Sequence, residues 1–133
     1  WLHHKGRNKH HYEYWIDYSV RDIEGGMTPA PMPVKYILEM IMDRIAASKV
    51  YAKEDYTRHH PLAYYKTGRE HAPLHKKTKK TLELLLLILD QYGEKEMVRF
   101  IRKKILPNQK LWDDKEKWPL LIRKYEKLYD VRL

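Results

Sequence analysis

Cysteine is absent from the 133-residue chain, which excludes a disulfide framework and any thiolate metal site. A bound metal has only His, Asp and Glu to use. Long apolar runs are missing too. The most hydrophobic stretch, Leu82 to Leu89, is interrupted by Glu83 and falls well short of the roughly 20 apolar residues that a membrane span requires. It reads as a buried helix, so no membrane partner is expected. The opening residues, Trp1 to Arg7, have no apolar core of a secretory signal. The chain is accordingly expected to be cytoplasmic. No β-alternating run of useful length and no internal repeat occur, and the expectation is an all-α fold, a helical bundle of about five to six helices.

Residues of apolar type make up 43% of the chain and charged ones 34%, a balance too rich in large apolar side chains for disorder. Acidic charge is in short supply, with 18 Asp and Glu against 27 Lys and Arg. Residues 61–80 hold six basic side chains and one acid. That stretch and the 11 tyrosines are material for a nucleic-acid partner through phosphate contacts and base stacking. Solvated lysines and core tyrosines are the plainer reading. Within the block, cations in a first helical turn at His75 to Lys80 oppose the helix dipole.

Helix signals divide the chain. Asn8 is a candidate N-cap for a helix through about Ser19, which would put Tyr14, Trp15 and Tyr18 on one face with His11. Gly25 to Pro33 cannot be helical, because its alternating prolines remove amide donors. Pro33 suits the first turn of a helix to about Ala52 that is apolar on most sides and so should be central. A short helix is expected from Pro61 to Gly68 and a long one from about Lys76 to Gly93. Glu94 to Lys104 is amphipathic, Pro107 to Glu116 reads as a polar linker, and Trp118 to Tyr129 as a last amphipathic helix. The domain expected is residues 1–106, with 107–133 as linker and C-terminal helix.

Chemistry concentrates in the first 18 residues. His3, His4, His10 and His11 lie close together beside Lys5, Arg7 and Asn8, and imidazole is both a common metal ligand and the usual base near neutral pH. On one straight helix His4 and His11 would stand about 10 Å apart, too far to share an ion held at about 2 Å per ligand. A joint site therefore requires a bend, for which Gly6 and Asn8 are suited. Surface or core roles are the alternative. On the next helix Glu39 and Asp43 stand at i and i+4 and project from one face. Buried, they would need a partner, either Arg44, Lys35 or Arg7, or a cation shared with the histidines. His59, His60, His71 and His75 read as surface residues.

The run Trp1-Leu2-His3-His4-Lys5-Gly6-Arg7-Asn8-Lys9-His10-His11-Tyr12-Glu13-Tyr14-Trp15, followed by Met32-Pro33, by Tyr36 to Ala47 and by Pro61-Leu62-Ala63-Tyr64-Tyr65, resembles an uncharacterised bacterial and phage family of unknown function. The resemblance covers residues 1 to about 106. That family is in turn distantly similar to HD-type metal-dependent phosphohydrolases, with a His-Asp pair followed by Ser-Lys upstream of the block seen here. No His-Asp dipeptide occurs here. The resemblance implies an HD-like fold whose N-terminal part is missing, with His4, His10, His11 and Asp43 as metal ligands.

The expected function is hydrolysis of a phosphate ester, such as that of a nucleotide, by a divalent ion (Mn, Ni, Zn, Co, Fe or Mg). Asp43 and Glu39 would be the catalytic carboxylates, and Lys5, Arg7 and Asn8 would hold substrate. The alternative is a non-enzymatic helical module that binds nucleic acid or another partner. The chain starts at Trp1 inside this functional-looking stretch, which reads as a cut edge. Its apolar faces would be covered by the missing N-terminal segment of the same protein or by a second copy in a homodimer.

Overall fold

The computed structural model describes residues 9–11, 15–18, 27–68 and 73–133. Helices dominate, as expected. The departure lies at the start. Residues 9–11 form a turn, and β1 (Ile16–Tyr18) pairs antiparallel with β2 (Met27–Pro29), Ile16 opposite Pro29 and Tyr18 opposite Met27. The helix expected from Asn8 to Ser19 is thereby corrected. Pro29, Pro31 and Pro33 hold their neighbours extended, and the extended backbone finds its hydrogen bonds on a segment whose Ile and Tyr favour strands. The Ala30 amide continues the pairing, donating to Trp15 O at 2.6 Å.

Helix α1 (Val34–Ala52) starts directly after Pro33 and buries Val34, Ile37, Leu38, Met40, Ile41, Ile45 and Ser48 along one broad stripe, the i, i+3, i+4 pattern of a helix with a single core face. Its other side, with Glu39, Met42, Asp43 and Val50, faces water. It is therefore not the central helix. That place belongs to α3 (Lys76–Tyr92), which buries Leu82 and every residue from Leu84 to Leu89 and packs against α1, α2 (His60–Gly68), α4 (Glu94–Phe100) and α6 (Trp118–Tyr129). Leucine on all sides of a helix is stable only when neighbours cover all sides. Gly93 ends α3 with φ +95°, where its amide donates to Leu89 O at 2.9 Å. A side chain would be strained there.

The segment expected as a polar linker, 107–116, contains a helix of its own. After α4 the chain widens into a π turn (Ile101–Ile105), and α5 (Gln109–Asp113) carries Trp112 into the core at 1% exposure. The indole stacks on Tyr125 at 5.8 Å and meets the edge of Phe100 at 6.0 Å. Its Nε1 donates to Lys104 O at 2.8 Å, so its one polar atom is satisfied. Glu96 clamps α4 to the end of α6, accepting from Arg99 at 2.6 and 2.9 Å and from the Tyr129 hydroxyl at 2.8 Å. Arg99 first, then Tyr129, hold the Glu96 carboxyl down at about 2. Burial, then the Glu96 bond, push Tyr129 up to about 12.

The block at His75 to Lys80, expected to be solvated, is split. Lys76 and Lys80 are exposed, but Lys77 is 4% exposed and Thr78 is buried. The Lys77 ammonium donates to Met32 O at 3.2 Å and to Asp113 Oδ1 at 3.1 Å. The same Oδ1 accepts from the Val34 amide at 2.7 Å, and Thr78 Oγ1 accepts from the Met32 amide at 3.1 Å. His75 caps α3, its Nδ1 accepting from the Lys77 amide at 3.1 Å. Burial first, then the Lys77 charge, lower the His75 pKa and favour the neutral ring that this cap requires.

Two outcomes follow from this packing. Lys77→Met removes the donor that joins three elements and leaves Met32 O and Asp113 short of a partner. Because Asp113 keeps access to water, the loss is about 2 kcal/mol rather than the full cost of a broken buried pair. Urea denaturation reads it, and a change below about 0.5 kcal/mol would contradict the role. For Glu96, whose pKa falls from 4.5 to about 2 on folding, the clamp's contribution is complete above pH 4.5 and lost as pH falls toward 2. Glu96→Gln should flatten that limb of a stability profile, and an unchanged limb would show that other carboxyls carry it.

Candidate functional site

The turn at residues 9–11 lies against the exposed side of α1. Trp15 secures it from one end, its Nε1 donating to Lys9 O at 2.8 Å while its ring packs on Tyr36 at 5.8 Å. Lys9 and Lys35 both stand over the Tyr36 ring, at 5.8 and 4.9 Å, where the ring's negative face attracts a cation. Consecutive residues in the turn then place two imidazoles together, the His10 and His11 rings 4.5 Å apart and tilted by 42°.

Their partners come from the i, i+4 pair on α1. His10 Nδ1 lies 3.7 Å from Glu39 Oε2, and His11 Nε2 lies 4.0 Å from Asp43 Oδ2. One donor atom from each of His10, His11 and Asp43 falls within 4.8 Å of the other two. The imidazoles are sheltered, at 18% and 13% side-chain exposure. The carboxylates are not, at 57% and 52%, which corrects the expectation that they are buried in a helix apolar nearly all round. They need no partner to be tolerated, so their approach to the histidines is not forced by desolvation. Of the cations considered for them, Arg44 stacks over Tyr65 at 5.7 Å and Lys35 over Tyr36. His4, Lys5, Arg7 and Asn8 lie outside the described residues.

Donor atoms that share one ion at about 2.0–2.2 Å stand about 3–4 Å apart, so this set closes on an ion by a side-chain shift of about 1 Å or less. Two imidazoles and one carboxylate suit Zn, Fe, Co, Ni or Mn, and three protein ligands leave coordination positions open for water or substrate. Of the other histidines, His3, His4 and His71 lie outside the described residues, and His59, His60 and His75 have partners in the scaffold. His60 Nδ1 accepts from the Thr57 amide at 2.8 Å and His75 caps α3. His59, read as a plain surface residue, contacts Asp90 Oδ1 at 2.7 Å. Their separation of 31 residues gave no local signal for that pair.

Residues 1–88 match the profile of a family of unknown function, DUF5662. The chain belongs to that family. The match ends inside α3, short of residue 106, and includes the turn, α1 and hence the whole His–carboxylate cluster, while α4, α5 and α6 lie beyond it. No curated protein and no solved structure matches the chain. Among the described residues, no helix is long and apolar enough to cross a membrane.

Because both carboxylates face water, neither should matter much to folding. Asp43→Ala and Glu39→Ala are each expected to change stability by no more than about 0.5 kcal/mol, the usual range for surface positions. Thermal denaturation of the two variants checks this, and a loss above about 2 kcal/mol would assign them to the scaffold instead.

Proposed function

We propose that His10, His11 and Asp43 hold a divalent ion, and that the chain forms part of a metal-dependent hydrolase acting on a phosphate ester, in the manner of the HD-type phosphohydrolases. The observation that supports this reading is the convergence of three donor atoms within 4.8 Å of one another from a turn and a helix. A divalent ion there supplies Lewis acidity toward a phosphoryl oxygen and lowers the pKa of a bound water. In this reading Glu39, 3.7 Å from His10 Nδ1, orients that imidazole and accepts a proton. In the same reading His4 adds a ligand, Lys5 and Arg7 neutralise the substrate phosphate, and Asn8 donates a hydrogen bond to the substrate. A second copy of the chain completes the centre.

Calorimetric titration of dialysed, untagged protein with Mn, Ni, Zn, Co, Fe and Mg salts tests the site. One ion should bind with raised thermal stability, and His11→Ala or Asp43→Ala should weaken it by about tenfold or more. Hydrolysis of p-nitrophenyl phosphate should appear only with that ion. If none of the six binds, the reading fails.

A further inference from the structure

A second concave site lies at the opposite functional end of the sequence, between the first turns of α3 and the length of α6. It is a cleft of about 760 Å³, within the size range of small-molecule sites. Its apolar part is Trp118, Pro119, Ile122 and Val131, and its charged part holds five cations, Lys76, Lys80, Arg123, Lys127 and Arg132, against two carboxylates, Glu126 and Asp130.

The placement of these charges is unfavourable in the free chain. Lys76 and Lys80 are a like-charge i, i+4 pair, and Arg123 and Lys127 are another on the facing helix, where Glu126 and Asp130 at i+3 offset part of the repulsion. Lys76 and Lys80 also occupy the N-terminal turns of a 17-residue helix, where the peptide dipoles add further positive potential. Among the described residues, none of the five cations stands in an ion pair. Lys77, between them in sequence, is turned inward to Asp113, so the outward pair is not needed to hold the helices together. The backbone brings a fifth cation back to the same cleft. Asp130 adopts the left-handed conformation, φ 52° and ψ 48°, the Val131 amide donates to Glu126 O at 2.9 Å, and Val131 is buried. This is a Schellman turn, and it returns Arg132 to the cleft wall.

We infer that this cleft binds a phosphorylated organic anion carrying two or more negative charges on a planar or apolar body, as a nucleoside diphosphate does. The phosphates lie between the α3 and α6 cation pairs, relieving both repulsions and the dipole, with guanidinium and ammonium groups giving charge-assisted hydrogen bonds. The body lies along Trp118, Pro119 and Ile122. A fully hydrated ion gains nothing from that apolar wall, so the organic part adds affinity. The site is separate from the histidine cluster: three of its five cations lie beyond residue 88, outside the family match.

ADP is the probe, titrated into metal-free protein in EDTA and followed by intrinsic tryptophan fluorescence and calorimetry, with pyrophosphate and an oligothymidylate in parallel. The expected result is saturable one-to-one binding of ADP, tighter than pyrophosphate. Lys80→Gln combined with Arg123→Gln should weaken it by about tenfold or more, the loss of two charged hydrogen bonds. Both positions are exposed, and an unchanged circular dichroism melt verifies that the variant folds. His11→Ala should bind ADP as the parent chain does, so the outcome is independent of the metal reading above. The inference is overturned if ADP does not saturate, if pyrophosphate binds equally well, if only the oligothymidylate binds, or if ADP binding is lost with His11→Ala and kept in the Lys80/Arg123 variant.

Discussion

A single buried ammonium holds the two ends of the fold in register. Lys77 is the second residue of α3 and reaches both the chain entering α1, at Met32 O, and the last residue of α5, at Asp113. Asp113 in turn takes the first amide of α1, and Thr78 takes the amide of Met32. A lysine at 4% exposure is costly unless its charge is paired and hydrogen-bonded. The geometry is met only when α1, α3 and α5 start and stop where they do. The knot fixes position rather than adding much net energy, since the same space filled by apolar side chains would serve stability as well.

From that fixed start the stripe of α1 follows without further choice. Val34 is tied by its amide, so the helix phase is set, and Glu39 and Asp43 arrive on the side away from α3. They are presented to whatever the preceding chain places there, which is the turn bearing His10 and His11. Trp15, Tyr36, Lys9 and Lys35 act as the second fastening, packing ring against tilted ring and cation over ring.

Much of the helical framework was legible because its signals are local. Leu82 to Leu89 could be read as buried from composition, Pro33 and Gly93 as a start and a stop from backbone chemistry, and the pairing of Glu39 with Asp43 on one face from spacing alone. Three features were not legible, for different physical reasons. The strand at Ile16–Tyr18 depends on a partner at Met27–Pro29, and a three-residue ladder has no periodicity to detect. Trp112 stands between an exposed leucine and two aspartates, so its burial is decided by Phe100 and Tyr125 in other helices. Lys77 looks like its exposed neighbours Lys76 and Lys80, and only the helix phase singles it out. The error over Glu39 and Asp43 was of the same kind. The apolar residues around them, Met42, Ala46 and Val50, are themselves exposed, so their count overstated the core face.

The same lysine block therefore does two jobs that composition cannot separate. In a helix, neighbours in sequence point about 100° apart, so a run of cations cannot all meet one environment. Lys77 turns to the interior and is neutralised by Asp113, while Lys76 and Lys80, one turn apart, share the outer face with the cations of α6. The knot and the basic cleft are thus opposite sides of a single helical turn. Fixing the phase of α3 through Lys77 also fixes how far Lys76 and Lys80 stand from Arg123 and Lys127. By way of Met32 and Val34, the same contact sets where α1 presents its acids to the histidines. Two candidate sites built from different residues thereby share one mechanical origin, a consequence of burying one charge where its oxygens lie on two other elements.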